Sequence, residues 1–163
     1  MQRAEPLRGS WPQAEAEAAF DEVVLRPGAG ELIRALNDAG VVTAILTGGF
    51  QRGVEAALAK EGVTVDTIVA NRLPMADGEL TGDVEGPLIE GTKDDALAEL
   101  AEAEGVVMAD TVAVGDGAND RPMLKGAGWA IGVEPKPAVE PHCEDVVSTM
   151  PALQDLLAAR DIL

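Results

Sequence analysis

Apolar positions along this chain follow two patterns, one with helical spacing and one of short unbroken runs. Across residues 31–39, Leu32, Ile33 and Leu36 recur at the spacing of one helix face, which predicts an amphipathic helix. Val41–Leu46 is a short apolar run with β-branched residues, which predicts a buried strand. Further helices are predicted at 13–25, 52–61, 92–104, 120–125 and 151–160, and further strands at 67–70, 111–114, 129–133 and 146–147.

The alternation of predicted strands and helices indicates βαβ units and therefore an α/β fold with a parallel sheet. One segment departs from this alternation: between Leu73 and Gly82, an Asp77-Gly78 pair separates two short stretches and predicts a β-hairpin. We find no internal repeat and no low-complexity linker in the chain, and its 163 residues are a one-domain length.

The net charge is the unusual feature of the composition. The chain has 12 lysines and arginines against 29 aspartates and glutamates, which gives −17. Such a chain repels phosphate backbones and anionic lipid, so nucleic acid and membranes are not expected partners. We interpret the acidity as a solvated surface suited to a salty cytoplasm; the alternative is an ordinary acidic protein.

The expected compartment is the cytoplasm. Cys143 is the only cysteine, so no intrachain disulfide can form, and a reducing compartment is the default. The first residues lack the apolar core of a signal peptide, and no apolar run approaches the ~20 residues that span a bilayer.

Two strand ends carry candidate chemistry, because ligands of open α/β sheets bind at the carboxyl ends of the strands. Thr47-Gly48-Gly49 follows the first predicted strand and offers a hydroxyl and bare backbone N–H groups to a phosphate; the alternative is a simple turn. Asp116, Asn119 and Asp120 follow the strand at 111–114. Their oxygens suit Mg²⁺, although Asn119 or Asp120 alone is also explained as a helix cap.

Lys93 opens a predicted helix, where the positive end of the helix dipole disfavours a cation. A lysine kept there against that preference is a candidate ligand-binding residue. The alternative is a surface lysine balanced by Asp94 and Asp95.

Taken together, these segments resemble the haloacid dehalogenase superfamily. Its second, third and fourth motifs are similar to residues 46–50, Lys93 and residues 112–120. Residues 70–86 resemble the hairpin segment of the phosphoserine phosphatases within that superfamily. The resemblance rests on Leu46-Thr47-Gly48-Gly49-Phe50, Ala70-Asn71-Arg72, Asp77-Gly78, Thr81-Gly82, Val84-Glu85-Gly86, Gly115-Asp116-Gly117-Ala118-Asn119-Asp120, Ala127-Gly128 and Lys136-Pro137.

The resemblance implies a fold, and we expect two regions within it. Residues 1–25 would form part of a helical cap. Residues 26–163 would form a Rossmannoid parallel sheet flanked by helices and carrying the hairpin. The first and central strand of that sheet would be missing from the chain.

The resemblance also implies a reaction, the Mg²⁺-dependent hydrolysis of O-phospho-L-serine to serine and phosphate in serine biosynthesis. In such enzymes an aspartate attacks phosphorus, and water then cleaves the phosphoaspartate. The roles that the resemblance implies are phosphoryl binding for Thr47 and Gly48, charge neutralisation for Lys93, Mg²⁺ ligation for Asp116, a hydrogen bond near the phosphate for Asn119, orientation of Lys93 and the metal shell for Asp120, and binding of the substrate carboxylate for Arg3. For Arg3, the alternative is a terminal arginine without a role.

One motif of the superfamily is absent. Its nucleophile and general acid/base are two aspartates at positions i and i+2, and no such pair occurs in the chain. We therefore expect that the chain begins downstream of the nucleophile and is inactive alone. Two hypotheses remain: part of a phosphoserine phosphatase or related small-molecule phosphatase, or a non-catalytic protein that binds a phospho-ligand or partner. The oligomeric state is not predicted.

The absence of the first strand from the sequence leads to an expectation about the sheet. In the superfamily it lies between the strands that match Val41–Leu46 and Thr111–Val114, so both are expected to be internal. Without it, these two strands either stay apart by about two strand spacings, roughly 9–10 Å, or pair directly.

The charge imbalance predicts that thermal stability rises with salt. Self-repulsion at −17 opposes the compact state. Raising KCl from about 0.1 M to about 2 M shortens the Debye length and screens it. We expect the midpoint of thermal unfolding, followed by circular dichroism, to increase across this range. A midpoint that is flat or falls would contradict salt adaptation.

Overall fold

A computed structural model describes residues 12–89 and 91–163. Its elements alternate as the apolar patterns predict. The helices are α1 Gln13–Asp21, α2 Ala29–Asp38, α3 Gln51–Glu61, α4 Lys93–Ala103, α5 Arg121–Gly126 and α6 Met150–Ala159, with 3-10 turns at Met108–Asp110, Ala118–Asp120 and Glu140–His142. The strands are β1 Ala44–Phe50, β2 Thr67–Asn71, β3 Met75–Ala76, β4 Glu79–Leu80, β5 Val112–Gly115, β6 Trp129–Val133 and β7 Asp145–Val147.

The parallel strands form two separate groups. β1 pairs with β2 in one, and β5, β6 and β7 pair in that order in the other. β3 and β4 form the predicted antiparallel hairpin. Its turn residues Asp77 and Gly78 have φ of 52° and 77°, as a type I′ turn requires at both central positions. The α/β class with helices around parallel strands is therefore confirmed.

Two apolar clusters hold the strands to the helices. One joins β6 to α2 and α6 through Ile131, Leu32 and Leu153. The other joins β5 and β6 to α4 and α5 through buried side chains that include Ala113, Leu97 and Leu124, and Leu46 of β1 packs against it. The second cluster therefore lies directly beneath the strand ends that carry the candidate chemistry.

β1 and β5 each have an unpaired edge, because across the described part of the chain neither strand pairs with the other. Of the two expected arrangements, direct pairing is not formed. The free edges are those expected when the first strand is missing and the two strands do not pair. The prediction of a buried first strand is wrong, because β1 is half-buried or exposed throughout; on β5, Ala113 is buried, while Val112 and Val114 are 37% and 36% exposed. The physical reason is the free edge, which leaves side chains on these strands without a neighbour on one side.

Two elements differ from their predicted bounds by three residues or more. β1 begins at Ala44 rather than Val41 and runs through the two glycines to Phe50, although its pairing with β2 becomes irregular after Leu46. The helix predicted over 13–25 ends at Asp21, because Val23 and Val24 disfavour helix and the Pro27 downstream prevents its continuation. Among the described helices, none has the length and apolar character to cross a bilayer.

Candidate active site

The candidate residues stand at the ends of elements that share one core. Leu46 immediately precedes Thr47 at the end of β1, and Ala113 lies on β5 three positions before Asp116. Leu97 lies one turn beyond Lys93 on α4. These three apolar residues belong to, or pack against, the same cluster. Local packing therefore brings the end of β1, the start of α4 and the end of β5 to one region.

A buried ion pair links Lys93 to Asp120. The Lys93 ammonium donates a hydrogen bond to Asp120 Oδ1, and the two side chains are only 12% and 8% exposed. The surface-lysine alternative for Lys93 is therefore wrong, because its charge is withdrawn from solvent against a carboxylate 27 residues away in the sequence.

Asp120 also organises the loop that carries Asp116. Its Oδ2 accepts hydrogen bonds from the backbone N–H of Asp116 at 2.9 Å and of Gly117 at 3.1 Å. At the last position of the 3-10 turn Ala118–Asp120, this carboxylate accepts from the Gly117 N–H as the N3 residue of a capping box does, whereas at the N-cap of α5 it makes no side-chain capping bond. The capping alternative is therefore met only in part, and the same carboxylate also contacts Lys93. Gly115 is needed beside it, since a Cβ there would lie 2.7 Å from Asp120 Cβ.

These contacts determine the protonation of Asp120. Burial by itself would raise the pKa of Asp120. The hydrogen bonds from Lys93, Asp116 and Gly117, together with the Lys93 charge, outweigh that effect and hold its pKa below the ordinary value. Asp120 is therefore a carboxylate at neutral pH, which keeps the Lys93 charge fixed at this position.

Asp116, the candidate metal ligand, is held by Arg26. The guanidinium donates to Asp116 Oδ2 at 2.8 Å and to Glu134 Oε2 at 3.1 Å. Arg26 lies in the loop before α2, and that loop packs closely on α6: a Cβ on Gly28 would lie 2.9 Å from Pro151 Cδ. Glu134 follows β6 with φ of 44°, an unusual conformation for a non-glycine residue.

Sequence reasoning missed Arg26 and Glu134. The contact joins residues 90 and 108 positions apart, so no local pattern reveals it. The only signal is the position of Arg26, a rare basic residue in an acidic chain, directly before a Pro-Gly break.

The donor set fits Mg²⁺ only in part. Asp116 supplies a partly exposed carboxylate of the kind Mg²⁺ uses while it retains several waters, and the bound guanidinium shows that this carboxylate attracts a cation. Both oxygens of Asp120 are engaged within the protein. Among residues 12–89 and 91–163, no group of three His, Cys, Asp or Glu side chains is arranged to hold a metal.

Thr47 and Gly48 lie where β1 leaves its regular pairing with β2. Thr47 Oγ1 accepts a hydrogen bond from the Gly49 N–H at 3.0 Å. Within the described part of the chain, the space beside Gly48 is open, because a Cβ there would meet no described atom within 4 Å. The Gly48 carbonyl accepts from Asn71 Nδ2 at 3.0 Å. We call residues 47–49, the stretch within β1 whose pairing with β2 is irregular, the Thr-Gly-Gly loop.

Two candidates are less engaged. Asn119 is exposed, and its Oδ1 lies 3.1 Å from the point that a Cβ on Gly117 would occupy. Arg3 lies outside the described residues. The structure thus joins Lys93, Asp120 and Asp116 through direct hydrogen bonds and leaves the proposed role of Arg3 as a prediction.

This fold and these motifs define a haloacid dehalogenase-like hydrolase, and the comparison with known proteins agrees. The profile of that family matches residues 3–125. The chain therefore belongs to the haloacid dehalogenase-like hydrolase family, as the motifs predict.

Within the family, the chain is similar to proteins named phosphoserine phosphatase. One from Halobacterium salinarum is 56% identical over 156 residues, which cover 96% of this chain and 74% of the relative. One from Methanocaldococcus jannaschii is 42% identical over 130 residues, covering 79% and 61%. The chain thus spans about three fifths of the second relative's length.

Solved structures agree with these relatives. An apo phosphoserine phosphatase superposes with a TM-score of 0.79 at 38% identity, covering 93% of this chain and 74% of that one. A substrate-bound phosphoserine phosphatase gives 0.81 at 37% identity, covering 92% and 70%. The identity and coverage support the same family and fold.

The Asp120 contacts predict a pH-dependent stability. Because its pKa is lowered on folding, the stabilisation is present above the ordinary carboxyl pKa of about 3.9 and is lost as the pH falls below it. We expect Asp120→Asn to cost about 2–5 kcal/mol at pH 7, since it leaves Lys93 unpaired. The difference in the free energy of unfolding between Asp120→Asn and the wild type should become smaller below about pH 4. Urea unfolding across pH 3–7 measures it, with the exposed Asp155→Asn as control. A difference that is constant with pH would contradict the assignment.

The Arg26 contact predicts competition with Mg²⁺. A half-exposed ion pair is worth at most about 1 kcal/mol. Arg26→Met should therefore strengthen Mg²⁺ binding by up to about fivefold, and Asp116→Ala should abolish it. Isothermal titration with MgCl₂ measures both. Arg34→Met, which removes an arginine contact to the Glu61 carbonyl, is the matched control. Unchanged binding in Asp116→Ala would exclude Asp116 as the ligand.

Proposed function

We propose that this chain carries the phosphate- and magnesium-binding part of a phosphoserine phosphatase site. The observation that carries the proposal is the buried Lys93–Asp120 ion pair joined to the loop of Asp116 at the end of β5. A buried, paired lysine is a fixed positive charge in a region of reduced dielectric, and such a charge is suited to an anionic phosphoryl group. The similarity to phosphoserine phosphatases supports the choice of substrate.

Each candidate residue has a chemical task in this proposal. Lys93 neutralises charge on the phosphoryl group, and Asp120 keeps Lys93 in place. The Thr47 hydroxyl and the Gly48 backbone bind phosphoryl oxygens, with Asn119 nearby. Because these groups are positioned before substrate arrives, they stabilise developing charge without reorganising. Arg3 is proposed to bind the substrate carboxylate.

Magnesium is proposed to bind at Asp116. When bound, it would neutralise and orient the phosphoryl group. In that state Arg26 would give up the contact that it makes with Asp116 Oδ2. It retains Glu134 as a partner, so the guanidinium is not left unpaired.

The covalent step needs a carboxylate that this sequence does not contain at the required spacing. In the proposed reaction the first aspartate of the Asp-x-Asp pair attacks phosphorus, the bond from phosphorus to the serine oxygen breaks, and the second aspartate gives that oxygen a proton. Water then attacks phosphorus and loses a proton to the second aspartate, and the bond from phosphorus to the first carboxylate breaks, which releases phosphate and regenerates both aspartates. The free edges of β1 and β5 support the idea that a strand bearing this aspartate fits beside both.

The wider setting is part of the same proposal. We propose that residues 1–25, which include α1, contribute to a helical cap over the core of 26–163. The substrate class supports a place in serine biosynthesis. The acidic composition and single cysteine support a salt-adapted protein of a reducing cytoplasm.

A second candidate is a non-catalytic protein that binds a phospho-ligand without turnover. The absence of an Asp-x-Asp pair from the sequence favours it. Both candidates use the same binding residues. They are distinguished by measuring phosphatase activity after a segment that carries the aspartate nucleophile has been added to the chain.

Activity assays test the proposal directly. We expect the purified chain with Mg²⁺ to release no phosphate from phosphoserine, because it lacks the attacking carboxylate. A version extended at its N-terminus by a strand segment with Asp-x-Asp should gain Mg²⁺-dependent turnover, within the ordinary enzyme range of about 1–10³ s⁻¹.

The control for the extended version carries Asn in place of the first added Asp and should be inactive. Turnover by the unextended chain at about 1 s⁻¹ or faster would overturn the missing-nucleophile claim. An extended version that binds phosphoserine without hydrolysing it would favour the non-catalytic candidate.

A further inference from the structure

Asn71 is a buried polar residue beside the candidate site. It ends β2 and is only 7% exposed. Its Nδ2 donates to the Gly48 carbonyl at 3.0 Å, while its Oδ1 is buried and has no hydrogen-bond partner among residues 12–89 and 91–163. Burying an unpartnered acceptor is unfavourable, so stability alone does not account for an asparagine here.

The amide replaces pairing that β1 has lost. The β1–β2 register runs regularly to Leu46↔Val69 and resumes at Phe50↔Asn71. The Thr-Gly-Gly loop therefore lies opposite a single residue of β2, Ala70, and departs from the regular ladder. The bond from Asn71 to Gly48 joins this departed stretch to the neighbouring strand.

That bond also sets the direction of a donor. In a trans peptide the C=O of Gly48 and the N–H of Gly49 point in opposite directions, and the described chain has no cis peptide. Since Asn71 holds the carbonyl toward β2, the Gly49 N–H points away from β2. On that side, Thr47 Oγ1 accepts the hydrogen bond from the Gly49 N–H. The side-chain amide of Asn71 therefore orients both the Gly48–Gly49 peptide and the Thr47 hydroxyl.

We propose that Asn71 is the positioning residue of the Thr-Gly-Gly loop: by holding the Gly48 carbonyl toward β2 it directs the Gly49 N–H onto Thr47 Oγ1, and this bond orients the Thr47 hydroxyl so that its own hydrogen is free to donate to an incoming phosphoryl oxygen. The phosphoryl ligand rests on the proposed function. The fixing of the peptide does not.

The hairpin keeps the Asn71 amide in place. Arg72 and Glu85 exchange two backbone hydrogen bonds, of 2.6 and 2.9 Å, which bring Gly86 against Asn71. A Cβ on Gly86 would lie 2.5 Å from Asn71 Oδ1 and 2.8 Å from its Cα. Any side chain at position 86 would therefore push on Asn71, and the loop position depends on a residue of the hairpin segment.

Asn71→Leu tests the proposal. Leucine retains a similar volume but removes the donor to Gly48 and also the unpartnered Oδ1. We expect the ¹⁵N order parameter of the Gly49 amide to fall from about 0.85 to below about 0.6, and orthophosphate binding with Mg²⁺ present to weaken about tenfold by calorimetry. The thermal midpoint should stay unchanged or rise, which a merely structural role would not produce.

Asn71→Leu is accompanied by a second test variant, Gly86→Ala, and each of the two has a control: Asn37→Ala for Asn71→Leu, and Gly78→Ala for Gly86→Ala. Asn37→Ala removes another asparagine amide bond to a backbone carbonyl, that of Thr64, and should leave the Gly49 amide rigid. Gly86→Ala should loosen the Gly49 amide and should add little to Asn71→Leu, because both act on one contact. Gly78→Ala carries a similar conformational strain, with φ of 77° and no atom within 4 Å of a Cβ, and should leave the loop unaffected.

The outcomes separate the two proposals. A Gly49 amide that stays rigid in Asn71→Leu overturns the role of Asn71, whatever happens to phosphate binding. A wild-type chain that binds no orthophosphate, while Asn71→Leu still loosens the Gly49 amide, overturns the proposed function and supports the positioning role. A lower thermal midpoint for Asn71→Leu with a rigid Gly49 amide assigns Asn71 to structure alone and overturns the proposal.

Discussion

The buried Lys93–Asp120 ion pair is the interaction on which the rest of the site depends. It joins the start of α4 to the loop after β5 across two elements that would otherwise meet only through apolar side chains. Withdrawing two charges from water is costly unless their remaining hydrogen bonds are satisfied. Asp120 meets this condition by accepting backbone N–H groups from Asp116 and Gly117. The direction of the loop that carries Asp116 is therefore set by the same carboxylate that holds the lysine.

Around this pair, polar contacts between distant segments take the place of a continuous sheet. Arg26 brings the loop before α2 to the ends of β5 and β6 through Asp116 and Glu134. Asn71 joins the end of β2 to the irregular end of β1. The two groups of parallel strands remain unpaired with each other in the described residues. The site is therefore assembled from side-chain contacts at strand ends, and each contact controls one loop.

Sequence predicts best those features of the structure that residues close together in the chain determine. The turn at Asp77-Gly78 follows from two residues that tolerate positive φ. Lys93 is singled out because a cation is unfavourable at a helix N-terminus, and Asp116 and Asp120 because their oxygens cluster at the end of a strand. Full burial of β1 and β5 is predicted wrongly. An apolar composition shows that a strand is suited to burial, but it does not show that another strand lies beside it. Arg26 was missed because its partners lie on separate strands far along the chain. Asn71 appeared only within the hairpin resemblance, because the importance of its amide depends on an irregular register that no residue pattern announces.

The two cations at the strand ends have a consequence for how substrate reaches the site. Lys93 and Arg26 nearly balance Asp116, Asp120 and Glu134, so most of the net charge of −17 lies elsewhere on the protein. On the proposed function, a phosphate monoester would approach through a repulsive field before it met this nearly neutral group of side chains, the reverse of electrostatic steering. Salt shortens the range of that field to about 3 Å at 1 M. The rate of substrate capture, and not only the stability of the fold, is thereby tied to the ionic strength of the surroundings.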